Sequence, residues 1–153
     1  MKLNLLTIAI LSLVAAGCYD ESDPVAKLQT PTDKGYYPVS ANTFVDLTNG
    51  GTISANRIYA PNVNLSFELQ YWSVDPVQEI NVYATVGAGA KTKIFSKPYS
   101  EIAAYSKLKS ADTLVVAYKT PVVAAETTVK LDVEIVNQNT LSLTRPITIK
   151  AKP

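Results

Sequence analysis

The sequence predicts an all-β domain of two antiparallel sheets packed face to face, and three observations predict it. Apolar residues recur with a period of two in several separate runs. Turn-forming residues stand where those runs end. Only residues 100–109 carry a helical pattern, and it is short.

The elements follow in order. Val63, Leu65, Phe67, Leu69 and Tyr71 alternate with Asn64, Ser66, Glu68 and Gln70. Such alternation marks a strand with one buried face and does not suit a helix. Ile80, Val82, Ala84 and Val86 alternate with Asn81, Tyr83 and Thr85, and Leu114, Val116 and Tyr118 give a third strand. Val129, Leu131, Val133 and Ile135 alternate with Lys130, Asp132 and Glu134 in the clearest run. Leu141 to Ile149 forms the last strand, interrupted by Pro146. Weaker candidates lie at 44–47, 57–59 and 91–95.

Asn49-Gly50-Gly51 separates the first two weak candidates, and Asp75-Pro76 follows the long strand. Gly87 to Ala90 closes one expected hairpin and Asn137-Gln138-Asn139 another, because Gly and Asn tolerate the positive φ of tight turns. Pro38, Pro98 and Pro146 suit strand ends, edges or bulges. Ser100 is placed to cap a short helix or turn with Glu101 in its first turn. About seven strands with one apolar face each must cover one another, and residues 36–153 suit an immunoglobulin-like sandwich. A closed barrel is the alternative, and it asks for more even strand lengths. With one cysteine in the chain, no internal disulfide bridges the sheets. The core rests on burial, worth ~1.5–3 kcal/mol for each Val, Leu, Ile or Phe removed from water.

Composition narrows function by exclusion. Fourteen Lys and Arg stand against thirteen Asp and Glu. A near-neutral chain lacks the basic footprint of a nucleic-acid binder. Charged residues are 18% and apolar ones 47%, which is not a disordered composition. There is no histidine, which removes the usual general base, the usual zinc ligand and the Ser–His and Cys–His pairs. No cofactor or metal is expected.

The first residues read as an address. Lys2 precedes an apolar run from Leu5 to Ala16, too short for a membrane span, which needs ~20 residues. It fits a secretory signal, residues 1–17, ending in small residues Ala15-Ala16-Gly17. Cys18, the chain's only cysteine, comes next. An ordinary secretory signal with an incidental cysteine is the plainer alternative. Asp20, Glu21 and Asp23 follow within a segment, 18–35, that reads as a solvated acidic tether. Fully extended, its ~17 residues after the cysteine span ~55–60 Å.

Catalytic motifs are sparse. Ser106-Lys107-Leu108-Lys109 contains S-x-x-K, without the S-D-N and K-T-G partners of the acylating enzymes. Gly87-Ala88-Gly89 lacks the third glycine of a dinucleotide loop. Glu68, Asp132 and Glu134 supply carboxylates of the kind glycoside cleavage uses, but on polar strand faces where charges serve solubility. The chain is therefore expected not to be an enzyme. Tyrosine dominates the aromatics, with nine against three Phe and one Trp. Tyr and Trp offer stiff contact area with a polar edge, so Trp72, Tyr83, Tyr36 and Tyr37 are candidate contacts for a partner or ligand. The alternative is that Trp72 plugs the sandwich end and that Tyr36 or Tyr37 packs inward.

The small residues ending at Cys18 resemble the signal of bacterial lipoproteins, with Ala15 where leucine is commoner. The resemblance implies removal of residues 1–17 and fatty acylation of Cys18, palmitate included, at ~0.8 kcal/mol of anchoring per buried CH₂. Asp20, Glu21 and Asp23 resemble the surface-export signal of Bacteroidota lipoproteins. With the tether, the sandwich, and the runs Ala111-Asp112-Thr113-Leu114-Val115-Val116 and Thr127 to Val133 before Asn137, the chain resembles small Ig-like surface lipoproteins of Bacteroidota nutrient-uptake loci. That implies an outer-membrane protein facing the cell exterior, anchored through Cys18. It also implies a non-catalytic accessory role beside a SusC/SusD-type importer of oligosaccharides or peptides. A free-standing glycan-binding module and a structural or adhesive surface lipoprotein are the alternatives.

Overall fold

The computed structural model describes residues 31–41, 44–48 and 57–153. It is all-β, with twelve strands and one helical turn among the described residues. The strands are β1 (Pro31–Thr32), β2 (Gly35–Tyr36), β3 (Val39–Ser40), β4 (Val45–Asp46), β5 (Ile58–Tyr59) and β6 (Asn64–Trp72). They continue with β7 (Val77–Val86), β8 (Thr92–Pro98), β9 (Tyr105–Ser106), β10 (Ala111–Lys119), β11 (Thr128–Asn137) and β12 (Ser142–Ala151). The helical turn α1 (Glu101–Ala104) lies between β8 and β9, inside the stretch that carries the helical pattern.

Two five-stranded sheets form a sandwich. The first runs β3-β6-β10-β9, with β4 beside β3 on the same edge of β6. The second runs β5-β12-β11-β7-β8. All pairings are antiparallel except β5 with β12. β1 and β2 make a separate hairpin. The alternation seen in the sequence decides the inner faces. Leu65, Phe67, Leu69 and Tyr71 of β6 and Leu114 and Val116 of β10 meet Ile80, Val82, Val129, Leu131, Val133, Ile135, Ile147 and Ile149 of the second sheet in one core.

Two features depart from expectation. β12 continues through Pro146. β5 reaches only Lys150 and Ala151, so among the described residues no strand on the free side of β12 misses a ladder bond at Pro146. In the β11–β12 turn the positive φ falls on Thr140 (70°), not on the asparagines. Asn137 instead closes the turn by donating its N–H to Leu141 and accepting from Thr140, both at 2.9 Å. Gly87 does take a positive φ, 54°, as expected for the β7–β8 hairpin. The Asn49-Gly50-Gly51 turn lies outside the described residues.

Side-chain bridges tie the sheets at the β4–β5 edge. The Tyr59 hydroxyl donates to Asp46 at 2.5 Å, and Arg145 of β12 donates to Ser40 of β3 at 2.5 Å. Among the described residues no helix is long and apolar enough to cross a membrane.

Candidate functional site

β6 ends where β7 begins, and the loop between them makes one end of the sandwich. The β11–β12 turn and the 106–110 turn belong to this same end by register. The β1–β2 hairpin is fastened here. Asp75 accepts the Tyr36 N–H at 2.5 Å and Asn139 Nδ2 at 2.9 Å. The Tyr36 carbonyl accepts from Asn137 Nδ2 at 3.1 Å, and that nitrogen also reaches Ser73 Oγ at 2.8 Å. Gly35 is required at the fastening. Its φ is 109°, and a Cβ there would run into the Asp75 carboxylate. Pro31, the first described residue, already belongs to this fastened hairpin, within the last residues of the stretch read as tether.

Three of the four flagged aromatics gather at this end. Trp72 is half-buried, opposite Val39, and its indole N–H donates to the Ser110 carbonyl at 3.0 Å. Tyr36 is half-buried and Tyr37 exposed. Tyr83 is elsewhere, on the outer face of the second sheet. Cys18, Asp20, Glu21 and Asp23 lie outside the described residues.

Around Tyr83 the structure assembles a polar network that the sequence did not single out. Register places Lys93, Tyr83 and Asp132 in one row across β8, β7 and β11, and Ser96, Asn81 and Glu134 in the next. Asn81, only 2% exposed, uses its full hydrogen-bonding capacity. Its Nδ2 donates to Glu79 at 3.1 Å and Glu134 at 3.3 Å. Its Oδ1 accepts from Lys93 at 3.0 Å and Ser96 at 2.8 Å. The Tyr83 hydroxyl donates to Glu134 at 3.2 Å. Lys91 and Lys93 hold their ammonium groups 4.5 and 5.6 Å from the Tyr83 ring centre. Cations at that range are attracted to the ring face, so Tyr83 is occupied by its own chain. Asp132 pairs with Lys91 at 3.3 Å and Lys130 at 3.0 Å. Burial alone would raise its carboxyl, but the two ammonium groups outweigh burial and hold it below the ordinary range. The only signal for this network was the alternation of charged residues. Combining it across strands required a register that alternation does not supply.

The other flagged groups have structural partners. Glu68 lies on the first sheet, paired with Lys109 and reached by Gln70. The S-x-x-K residues therefore form a turn whose last lysine serves Glu68, with the Lys109 N–H donating to the Ser106 carbonyl at 3.2 Å. Among the described residues no group of three His, Cys, Asp or Glu is placed to hold a metal ion.

No known protein-family model matches the chain, and no curated protein matches it.

Proposed function

We propose that the chain is an outer-membrane surface lipoprotein, anchored by acylated Cys18. On this reading its immunoglobulin-like domain is a non-catalytic accessory subunit of a SusC/SusD-type importer for oligosaccharides or peptides. The observation that carries this reading is in the sequence. The sole cysteine directly follows an apolar run and three small residues, where lipidation chemistry needs a thiol. Two features of the fold support it. The domain is a small β body in which Lys91 and Lys130 pair with Asp132, Lys109 with Glu68 and Lys150 with Glu126. Three cavities among the described residues, beside Tyr59, beside Tyr99 and beside Phe95, measure about 10, 10 and 100 Å³. Sites that engulf a small molecule run to ~300–1,000 Å³, so surface contact suits this domain better than an enclosed ligand.

Mass spectrometry of the protein from native membranes tests the anchor, with an acylated N-terminal Cys18 expected and a free thiol contradicting it. Affinity purification in mild detergent tests the role. Co-purification of an importer and its lid is expected, and recovery of the lipoprotein alone beside intact neighbours counts against it. Saturable polysaccharide binding abolished by Trp72→Ala would favour the glycan-binding alternative.

A further inference from the structure

Among the described residues each sheet has one long edge without a full-length partner strand, both on the same side of the sandwich, β10 in the first and β8 in the second. The two edges differ. β8 carries Lys93 and Lys97, ends in Pro98, and has a register shift that leaves Ile94 as a bulge. Lysines, prolines and bulges are the devices by which an edge refuses another strand. β10 has none of them from Thr113 to Tyr118, a run without charge, proline or glycine. β9 covers only Ala111 and Asp112, and among the described residues no strand pairs with Thr113 to Lys119 on that side. Val115 is 52% exposed there. Beside the edge lies the cavity of about 100 Å³, lined by Phe95, Val115, Val116 and Ala117. Its volume exceeds the ~30 Å³ share of one water, and its lining side chains are apolar.

We propose that the open edge of β10 receives an extended strand of a partner polypeptide, which joins the first sheet and places one aliphatic side chain in the cavity beside Phe95. The free groups along this edge are main-chain donors and acceptors in strand geometry, and another main chain matches them. Alternation sets the geometry, since the added residue opposite Val116 faces inward. A second copy of the chain fits less well. Its own β10 turns Leu114 and Val116 into its own core, both 5% exposed, and leaves the cavity beside Phe95 unfilled. The proposal extends the accessory reading by giving a protein contact a location, and it stands or falls without lipid at Cys18.

The test uses the purified chain and a fluorescein-labelled peptide, Lys-Thr-Val-Thr-Leu-Thr-Val-Thr-Lys, followed by anisotropy and amide exchange. Saturable binding is expected, with slowed exchange over residues 113–119. Val115→Lys, an outward substitution that leaves the core intact, should weaken binding by roughly tenfold or more by guarding the edge. Replacing the peptide's leucine with aspartate should do the same without touching the protein. Thr148→Lys on β12 should change nothing. Absence of saturable binding up to millimolar peptide, or binding indifferent to Val115→Lys, would overturn the proposal. So would a concentration-dependent dimer that Val115→Lys dissociates and the peptide does not compete.

Discussion

The hydroxyl of Tyr59 donates to Asp46 across the gap between the two sheets, at 2.5 Å, with both residues buried. Asp46 also accepts the Thr48 N–H at 2.8 Å. Burial first, and then the bond to Asp46, push the Tyr59 phenol up from its ordinary value. Removing the hydroxyl leaves a buried carboxylate short of a donor, which costs ~1–3 kcal/mol. Tyr59→Phe should therefore lower stability by about that amount in a urea titration. The gap from the parent should narrow above about pH 10, because a raised phenol stabilises the fold below its unfolded value and loses that contribution as pH climbs.

Tyr71 makes the opposite prediction. It is fully buried, and its hydroxyl has no hydrogen-bond partner among the described residues. Tyr71→Phe removes a polar atom that gains nothing in the core, so stability should hold or rise by up to about 1 kcal/mol. Paired urea titrations of the two Tyr→Phe variants check the contrast, and a large loss at Tyr71 would contradict it.

Gly35→Ala should release the hairpin and spare the core. The added methyl meets the Asp75 carboxylate at a backbone angle that only glycine adopts freely. Strain of this kind costs ~1–3 kcal/mol. Limited proteolysis should cut near residues 31–36 sooner in the variant, while the amides of β11 keep their protection.

Asp132 sets an acid-side dependence. Its carboxyl sits below the ordinary range in the folded chain, so its contribution is full above an unfolded value of ~3.9 and disappears as pH drops through the folded one. Both lysine partners are about half exposed, which keeps the effect near or below ~1 kcal/mol. Thermal melts of the parent and Asp132→Asn should differ modestly at pH 7 and draw together as pH falls below the unfolded value of ~3.9.

The strands of the core were legible in the sequence because burial of one face leaves a period-two record, as in Val63 to Tyr71 and Val129 to Ile135. The short strands β1 to β3 left no such record, while β4 and β5 fall within the weaker candidates at 44–47 and 57–59. β1 and β2 consist of two residues each, and they are held by Asp75, Asn137 and Asn139, far away in sequence. The outward setting of Tyr83 was legible as well. Its engagement by Lys91, Lys93 and Glu134 was not, because that depends on register between strands. Trp72 was expected on a polar face at its strand's end. The bond to Ser110 places it under a turn whose position no local pattern announced.

The knot at Asp75 gives the body a polarity. Because the chain is tied down at Pro31, only twelve residues lie between it and Cys18, and drawn straight the thirteen steps from Cys18 to Pro31 reach no more than ~43–47 Å. If Cys18 is acylated as proposed, the pole bearing Trp72 and Tyr37 is the one tethered nearest the bilayer. The loops at 87–91 and 120–127 then become the summit that meets whatever approaches from outside.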